Sequence, residues 1–109
     1  MTITTPHEIV IGKNRHHNTE LVRAASPHDL WFHVANKPSP HLILKVPVTT
    51  TIITRTLLKQ CALLCKSKSS FKSIPKLLVH YTKISNLQCT EIPGKVLILN
   101  PHLVKTITV

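Results

Sequence analysis

Acidic residues are nearly missing from this chain. Glu8, Glu20, Asp29 and Glu91 are its four carboxylates, against fourteen lysines and arginines, so 109 residues carry a formal net charge of +10 with eight histidines in reserve. Four acids cannot neutralise that field anywhere, and the first expectation is an acidic partner, most commonly nucleic acid. A basic surface kept for solubility is the bland alternative. Long apolar runs are missing as well: the longest, Cys61 to Cys65, is five residues, and a membrane span needs about 18. Met1-Thr2-Ile3-Thr4-Thr5-Pro6 has neither a basic start nor an apolar stretch, which argues against a signal peptide. Cysteine is scarce and odd in number. The three thiols read as reduced groups of a cytosolic or nuclear protein rather than as a disulfide framework. With two glycines, Gly12 and Gly94, most turns fall to proline and asparagine.

What is present suffices for one domain spanning 1–109, with 1–7 expected to be a flexible start. Prolines at 27, 38, 40, 47, 75, 93 and 101 cut the chain into short apolar pieces, which favours strands. Six are expected: Glu8–Ile11, Leu30–Val34, His41–Val46, Leu77–Tyr81, Lys95–Leu99 and Leu103–Val109. Asn100-Pro101-His102 reads as a hairpin turn between the last two, and polar Lys13–Glu20 as a loop or a single helical turn. One segment has helical spacing, with Ile53, Leu57, Cys61, Leu64 and Cys65 on one stripe. Thr50 or Thr51 would cap it. Arg55, Lys59 and Lys66 fall within about 40° of one another, nearly opposite the stripe, as a basic ridge. The fold expected is α+β: a mostly antiparallel or mixed sheet of five to seven strands with one principal helix across a face.

The densest chemistry is Asp29-Leu30-Trp31-Phe32-His33-Val34. Strand alternation puts Asp29, Trp31 and His33 on one face and the apolar residues on the other. Pairing His33 with His41 across an Ala35–Pro40 loop keeps both apolar faces together, so Asp29, Trp31, His33 and His41 would form one patch. Three readings compete. Trp31 stacks on a base while His33 and His41 donate to phosphate or sugar. Asp29 orients His33 as a general base, although no nucleophile or oxyanion site accompanies it. Or Asp29 accepts backbone N–H bonds after Pro27, and Trp31 and His33 are packing residues. Gly12-Lys13-Asn14-Arg15 offers amides and two cations to a phosphate, without Walker spacing. Cys61 and Cys65 lie in the apolar stripe with no Cys-x-x-Cys pair, so no metal is expected.

The order Ile11-Gly12-Lys13-Asn14, Asn18, Leu21, then Asp29-x-Trp31-x-His33 and His41 resembles the NFACT-R domain, an RNA-binding module of ribosome-associated quality-control proteins. Cys61-Ala62, Leu64, Lys66, Ser69, Tyr81-Thr82 and Ser85-Asn86-Leu87 look most like small eukaryotic relatives in which a coiled coil follows the domain. The resemblance runs from Glu8 to Val109 and implies an α+β domain that binds structured RNA, with some relatives connected to DNA. Its signature positions here are Gly12, Asn14, Asp29, Trp31, His33 and His41. Two features depart from it. Ser39-Pro40-His41 stands where larger members often have Gly-Ser-His, and Ile84–Thr90 lacks the basic residues they carry there. With no coiled coil after Val109, the chain reads as a minimal or shortened member.

The expectation is therefore a non-catalytic, cofactor-free RNA-binding domain without a small-molecule substrate. It would act in the cytoplasm, or alternatively the nucleus, on tRNA or rRNA, with the ribosome or its quality-control factors as partners. Gly12, Lys13, Asn14, Arg15, Asp29, Trp31, His33, His41, Arg55, Lys59 and Lys66 form its interface. Four phosphate contacts would give a log–log salt slope of roughly −3 to −4, and histidine protonation would strengthen binding as pH falls through about 6.5. A DNA-binding variant, a protein-docking module and an enzyme built on Asp29 and His33 are the alternatives.

Overall fold

The computed structural model describes residues 8–47 and 52–109. The expected flexible start at 1–7 and the caps at Thr50 and Thr51 lie outside the described residues. Seven strands and two α-helices follow in the order β1 (Ile9–Ile11), α1 (Arg15–Ala24), β2 (Leu30–Val34), β3 (Leu42–Leu44), α2 (Arg55–Ser67), β4 (Leu78–Lys83), β5 (Leu87–Cys89), β6 (Val96–Ile98) and β7 (Lys105–Thr108). Five strands form one antiparallel sheet in the order β1-β3-β2-β4-β7, and β5 and β6 pair as a separate hairpin. This is the expected α+β class.

Alternation along the strands sorts two cores. Leu30, Phe32 and Val34 of β2, Leu42 and Leu44 of β3 and Val79 of β4 turn to one face and bury against Leu57, Cys61, Ala62 and Cys65 of α2. Trp31 and Ile43 turn to the other, where Val22 of α1 and Leu87 of β5 cover them. The sheet is thus the middle of three layers, with α2 on one side and α1 plus the β5–β6 hairpin on the other. Thr54 caps α2, its hydroxyl accepting from Leu57 N–H at 3.1 Å. Burial pushes the Cys61 thiol up to about 12 and the Cys65 thiol up to about 11, with Cys65 itself adding to the shift of Cys61. Both behave as small hydrophobes of the core.

Two expectations need correction. Within Lys13–Glu20, residues 15–20 are neither loop nor single turn but the first part of the ten-residue α1, capped by Asn14. Its buried residues are Asn18 and Val22, one turn apart, so half of its inward stripe is polar and escapes a search for apolar periodicity. The hairpin at Asn100-Pro101-His102 does not form, because β6 pairs with β5 and β7 with β4. A 3-10 turn at Pro101–Leu103 carries the chain from one sheet to the other instead. Buried Asn86 holds that corner: its Nδ2 donates to the Asn100 carbonyl at 2.9 Å, and its Oδ1 accepts from Asn100 N–H at 2.8 Å. The strand β5 is not among the six expected: Leu-Gln-Cys is too short, and too poor in β-branched residues, to stand out.

Candidate nucleic-acid interface

The β2–β3 register pairs Leu30 with Leu44, Trp31 with Ile43 and Phe32 with Leu42, and its continuation sets His41 opposite His33. On the other side of β2, His33 pairs with His80 of β4. A row of three imidazoles therefore crosses the sheet on the face away from α2. The His33 ring lies parallel to the Trp31 indole, 5.4 Å between centroids and 10° between planes. The His41 ring meets both edge-on, 5.5 Å from Trp31 and 5.0 Å from His33.

His41 is held by a small backbone lock. Gly12 N–H donates to the His41 carbonyl at 2.9 Å, and His41 N–H donates to Asn18 Oδ1 at 3.1 Å. A Cβ on residue 12 would overlap the Asn18 amide, so only glycine lets that side chain lie against the chain. Asn14 caps α1, accepting from His17 N–H at 2.9 Å, and so fixes the helix that presents Asn18. Gly12 and Asn14 thus act on the site through the backbone.

Above the imidazole row is a cleft of 520 Å³. Asn36, Pro38 and Ser39 of the β2–β3 loop line one side, and Pro93, Gly94 and Lys95 at the tip of the β5–β6 hairpin line another. Arg15 and Lys95 are exposed and stand where α1 meets the hairpin. Gly94, at φ +80°, sits against the Arg15 backbone, and its N–H donates to Thr19 Oγ1 at 2.6 Å. Burial lowers the pKa of His33, with His80 lowering it further against the Val34 backbone, which raises it. Burial and the neighbouring His33 bring His41 down to about 4, the Gly94 backbone opposing them. Both rings are neutral at pH 7, so the floor is polar but uncharged and the positive charge sits on the rim.

The expected interface residues do not all converge. Trp31, His33 and His41 come together, with Arg15 at the same cleft. Trp31, however, is 3% exposed with His33 over its face, so it supports the floor rather than presenting an open stacking platform. Asp29 is buried and turned elsewhere: Oδ2 accepts from Ser26 N–H and Oδ1 from Val46 N–H, both at 2.9 Å, and Lys45 Nζ stands 3.7 Å away. Its partners match the turn-capping reading, and none of them is His33, so the general-base arrangement is not formed. Lys13 is exposed at the start of α1, where its backbone N–H donates to His17 Nδ1 at 2.9 Å.

The α2 ridge lies on the opposite side of the sheet from the cleft. Arg55 and Lys59 border a different groove, with Tyr81 and Thr108. Lys66 Nζ donates to the Val109 oxygen at 3.0 Å. Protonation of His33 or His41 near pH 6.5 is likewise corrected, because burial holds both below that value. Sequence reasoning missed His80 and Lys95 as site residues. His80 shares the alternation of its strand but faces His33 only through strand pairing. Lys95 follows the turn glycine Gly94, a weak signal of a phosphate-facing cation. Among the described residues no group of three His, Cys, Asp or Glu side chains could hold a metal ion, and no helix is long and apolar enough to cross a membrane.

Comparisons with known proteins agree with this geometry. The family model described as the NFACT protein RNA binding domain matches residues 2–99. Over 91 residues the chain is 35% identical to coiled-coil domain-containing protein 25 of Danio rerio, covering 81% of this chain and 44% of that protein. The Mus musculus protein of the same name is 32% identical over 90 residues, covering 80% and 43%. The chain therefore spans less than half the length of the curated relatives it matches. Among solved structures, the C-terminal part of the fibronectin/fibrinogen-binding protein of Streptococcus suis shares the fold, with a TM-score of 0.81 over 95% of this chain and 41% of that one, at 23% identity. With the family model spanning nearly the whole chain and the Gly12–Asn18–His41 lock and Trp31–His33 pair in place, this chain belongs to the NFACT RNA-binding domain family.

Proposed function

We propose that this domain binds RNA, without catalysis, through the cleft face, and that the RNA is tRNA or rRNA on the ribosome or in its quality control, in the cytoplasm. The observation that carries this reading is the division of the cleft into a neutral imidazole floor and a cationic rim at Arg15 and Lys95, on a chain of net charge +10. Rim cations hold phosphates while the floor takes sugar or base, the usual split between positioning and reading contacts. Lys13 adds to the attraction from the start of α1. The test is a titration of tRNA, rRNA fragments and duplex DNA at several salt concentrations. RNA is expected to bind with a log–log slope of roughly −3 to −4. A salt-insensitive affinity, or duplex DNA binding more tightly than either RNA, defeats the reading.

A second reading, a protein-docking module for a translation or surveillance factor, is favoured by the exposed Leu97 and Leu99 of the β6 segment and Leu103 of the 3-10 turn. A pull-down of such a factor that survives nuclease treatment, and is lost when these leucines are changed to serine, favours it over RNA binding.

A further inference from the structure

The cleft is specific about what it admits. Its volume, 520 Å³, is that of a pocket for one small heterocyclic ligand. A duplex, whose bases are stacked and paired, can lay only its backbone across the mouth. The distribution of charge orients any nucleotide that enters. A phosphate carried down to the His33–His41 floor would exchange water for uncharged rings, an unfavourable transfer for an ion. At the rim it meets Arg15 and Lys95.

The floor matches a base instead. His33 has one ring face on the Trp31 indole and is half-buried, so its remaining surface lines the cleft. A heterocycle placed on that surface lengthens a stack the protein has already begun. Trp31 Nε1 and His41 Nδ1 have no hydrogen-bond partner in the protein, but both are fully covered, so a heterocycle in the cleft meets the ring surface of His33 and not these nitrogens.

We infer that the cleft takes one unpaired nucleotide of a single-stranded or looped RNA segment, its base stacked on His33 and its phosphate between Arg15 and Lys95. The inference rests on the RNA-binding reading above and narrows it to a single-strand feature within the RNA. Trp31 is the sole tryptophan of the chain and lies directly beneath His33, so its fluorescence reports occupancy. The experiment titrates the folded protein with a short single-stranded oligoribonucleotide, an abasic ribose-phosphate strand of equal charge and a blunt RNA duplex. The oligoribonucleotide is expected to quench Trp31 saturably and the other two to leave its emission unchanged. His33→Ala is expected to weaken single-strand binding roughly 5- to 150-fold, the range of one base–aromatic stack, while His33→Phe, which keeps a ring, stays near the parent. Circular dichroism of both variants separates this from misfolding. Equal binding of all three polyanions without quenching, or a folded His33→Ala with unchanged affinity, overturns the inference and leaves the RNA-binding reading standing. Failure of every RNA to bind overturns both.

Discussion

Residue 12 shows how one missing Cβ places the His41 ring. The Asn18 amide occupies the space where a side chain at Gly12 would stand, and from there it accepts the His41 N–H. Gly12→Ala must push Asn18 aside, adding overpacking to the loss of a buried hydrogen bond. About 2–3 kcal/mol of stability is expected to go, read as a lower urea midpoint at unchanged m-value. His41 itself makes stability depend on pH. Its folded pKa, brought down to about 4 by burial first and His33 second, lies below its ordinary 6.5. The unfolded chain therefore binds a proton that the folded one refuses between those values. Stability is full above pH 6.5 and falls as pH drops from 6.5 towards 4, by on the order of 3 kcal/mol at most. His41→Phe is expected to flatten that part of the stability–pH curve. An unchanged slope in the variant would place the titration elsewhere.

Among the elements, the β5–β6 hairpin decides whether there is a cleft at all. It belongs to a separate sheet, yet its tip supplies Pro93, Gly94 and Lys95. It is anchored at one end by the Gly94 N–H to Thr19 Oγ1 bond and at the other by Asn86, which grips both backbone groups of Asn100 and donates to Thr82 Oγ1 at 3.1 Å. Replacing Asn86 with alanine removes both hydrogen bonds to the Asn100 backbone and the one to Thr82. A loss of about 2–4 kcal/mol is expected, together with faster amide hydrogen exchange in β5 and β6 than in β2. Uniform acceleration across both sheets would show that the hairpin is not a separately held unit. α2, by contrast, contributes through its apolar stripe, and the strand alternation it covers is what leaves Trp31 and His33 for the opposite face.

At the scale of the whole molecule, a nucleic-acid-binding module with +10 net charge attracts polyanions from every side, but its two basic groups are not equivalent. Arg15 and Lys95 border the cleft, whereas Arg55 and Lys59 lie beyond the sheet on the α2 side. The double change Arg15→Ala/Lys95→Ala is expected to lower single-strand affinity and to reduce the salt slope by about 0.7, the release from the one phosphate the two cations share. Arg55→Ala/Lys59→Ala is expected to leave the slope nearly unchanged. The opposite ranking would move the interface to the α2 face.

Much of this was legible before any coordinates. Period-two alternation in Leu30–Val34 and His41–Val46 lets His33 stand opposite His41 with both apolar faces together if Ala35–Pro40 is the loop, and the structure has that register. The spacing of Ile53, Leu57, Cys61 and Cys65 marks the helix on the other face for the same local reason. The family, too, was readable from the order of Gly12, Asn14, Asp29, Trp31, His33 and His41. Alternation and spacing are properties of neighbouring residues, and the sequence determines them by itself. What it could not state is which surfaces are covered. Trp31 loses its open face and His41 its charge because the hairpin, about fifty residues further along, folds over that side of the sheet. Lys95 and His80 join the site only through that docking and through pairing with β4. Burial, and with it solvation and protonation, depends on the far partner as much as on the residue, and only the tertiary structure brings the two together.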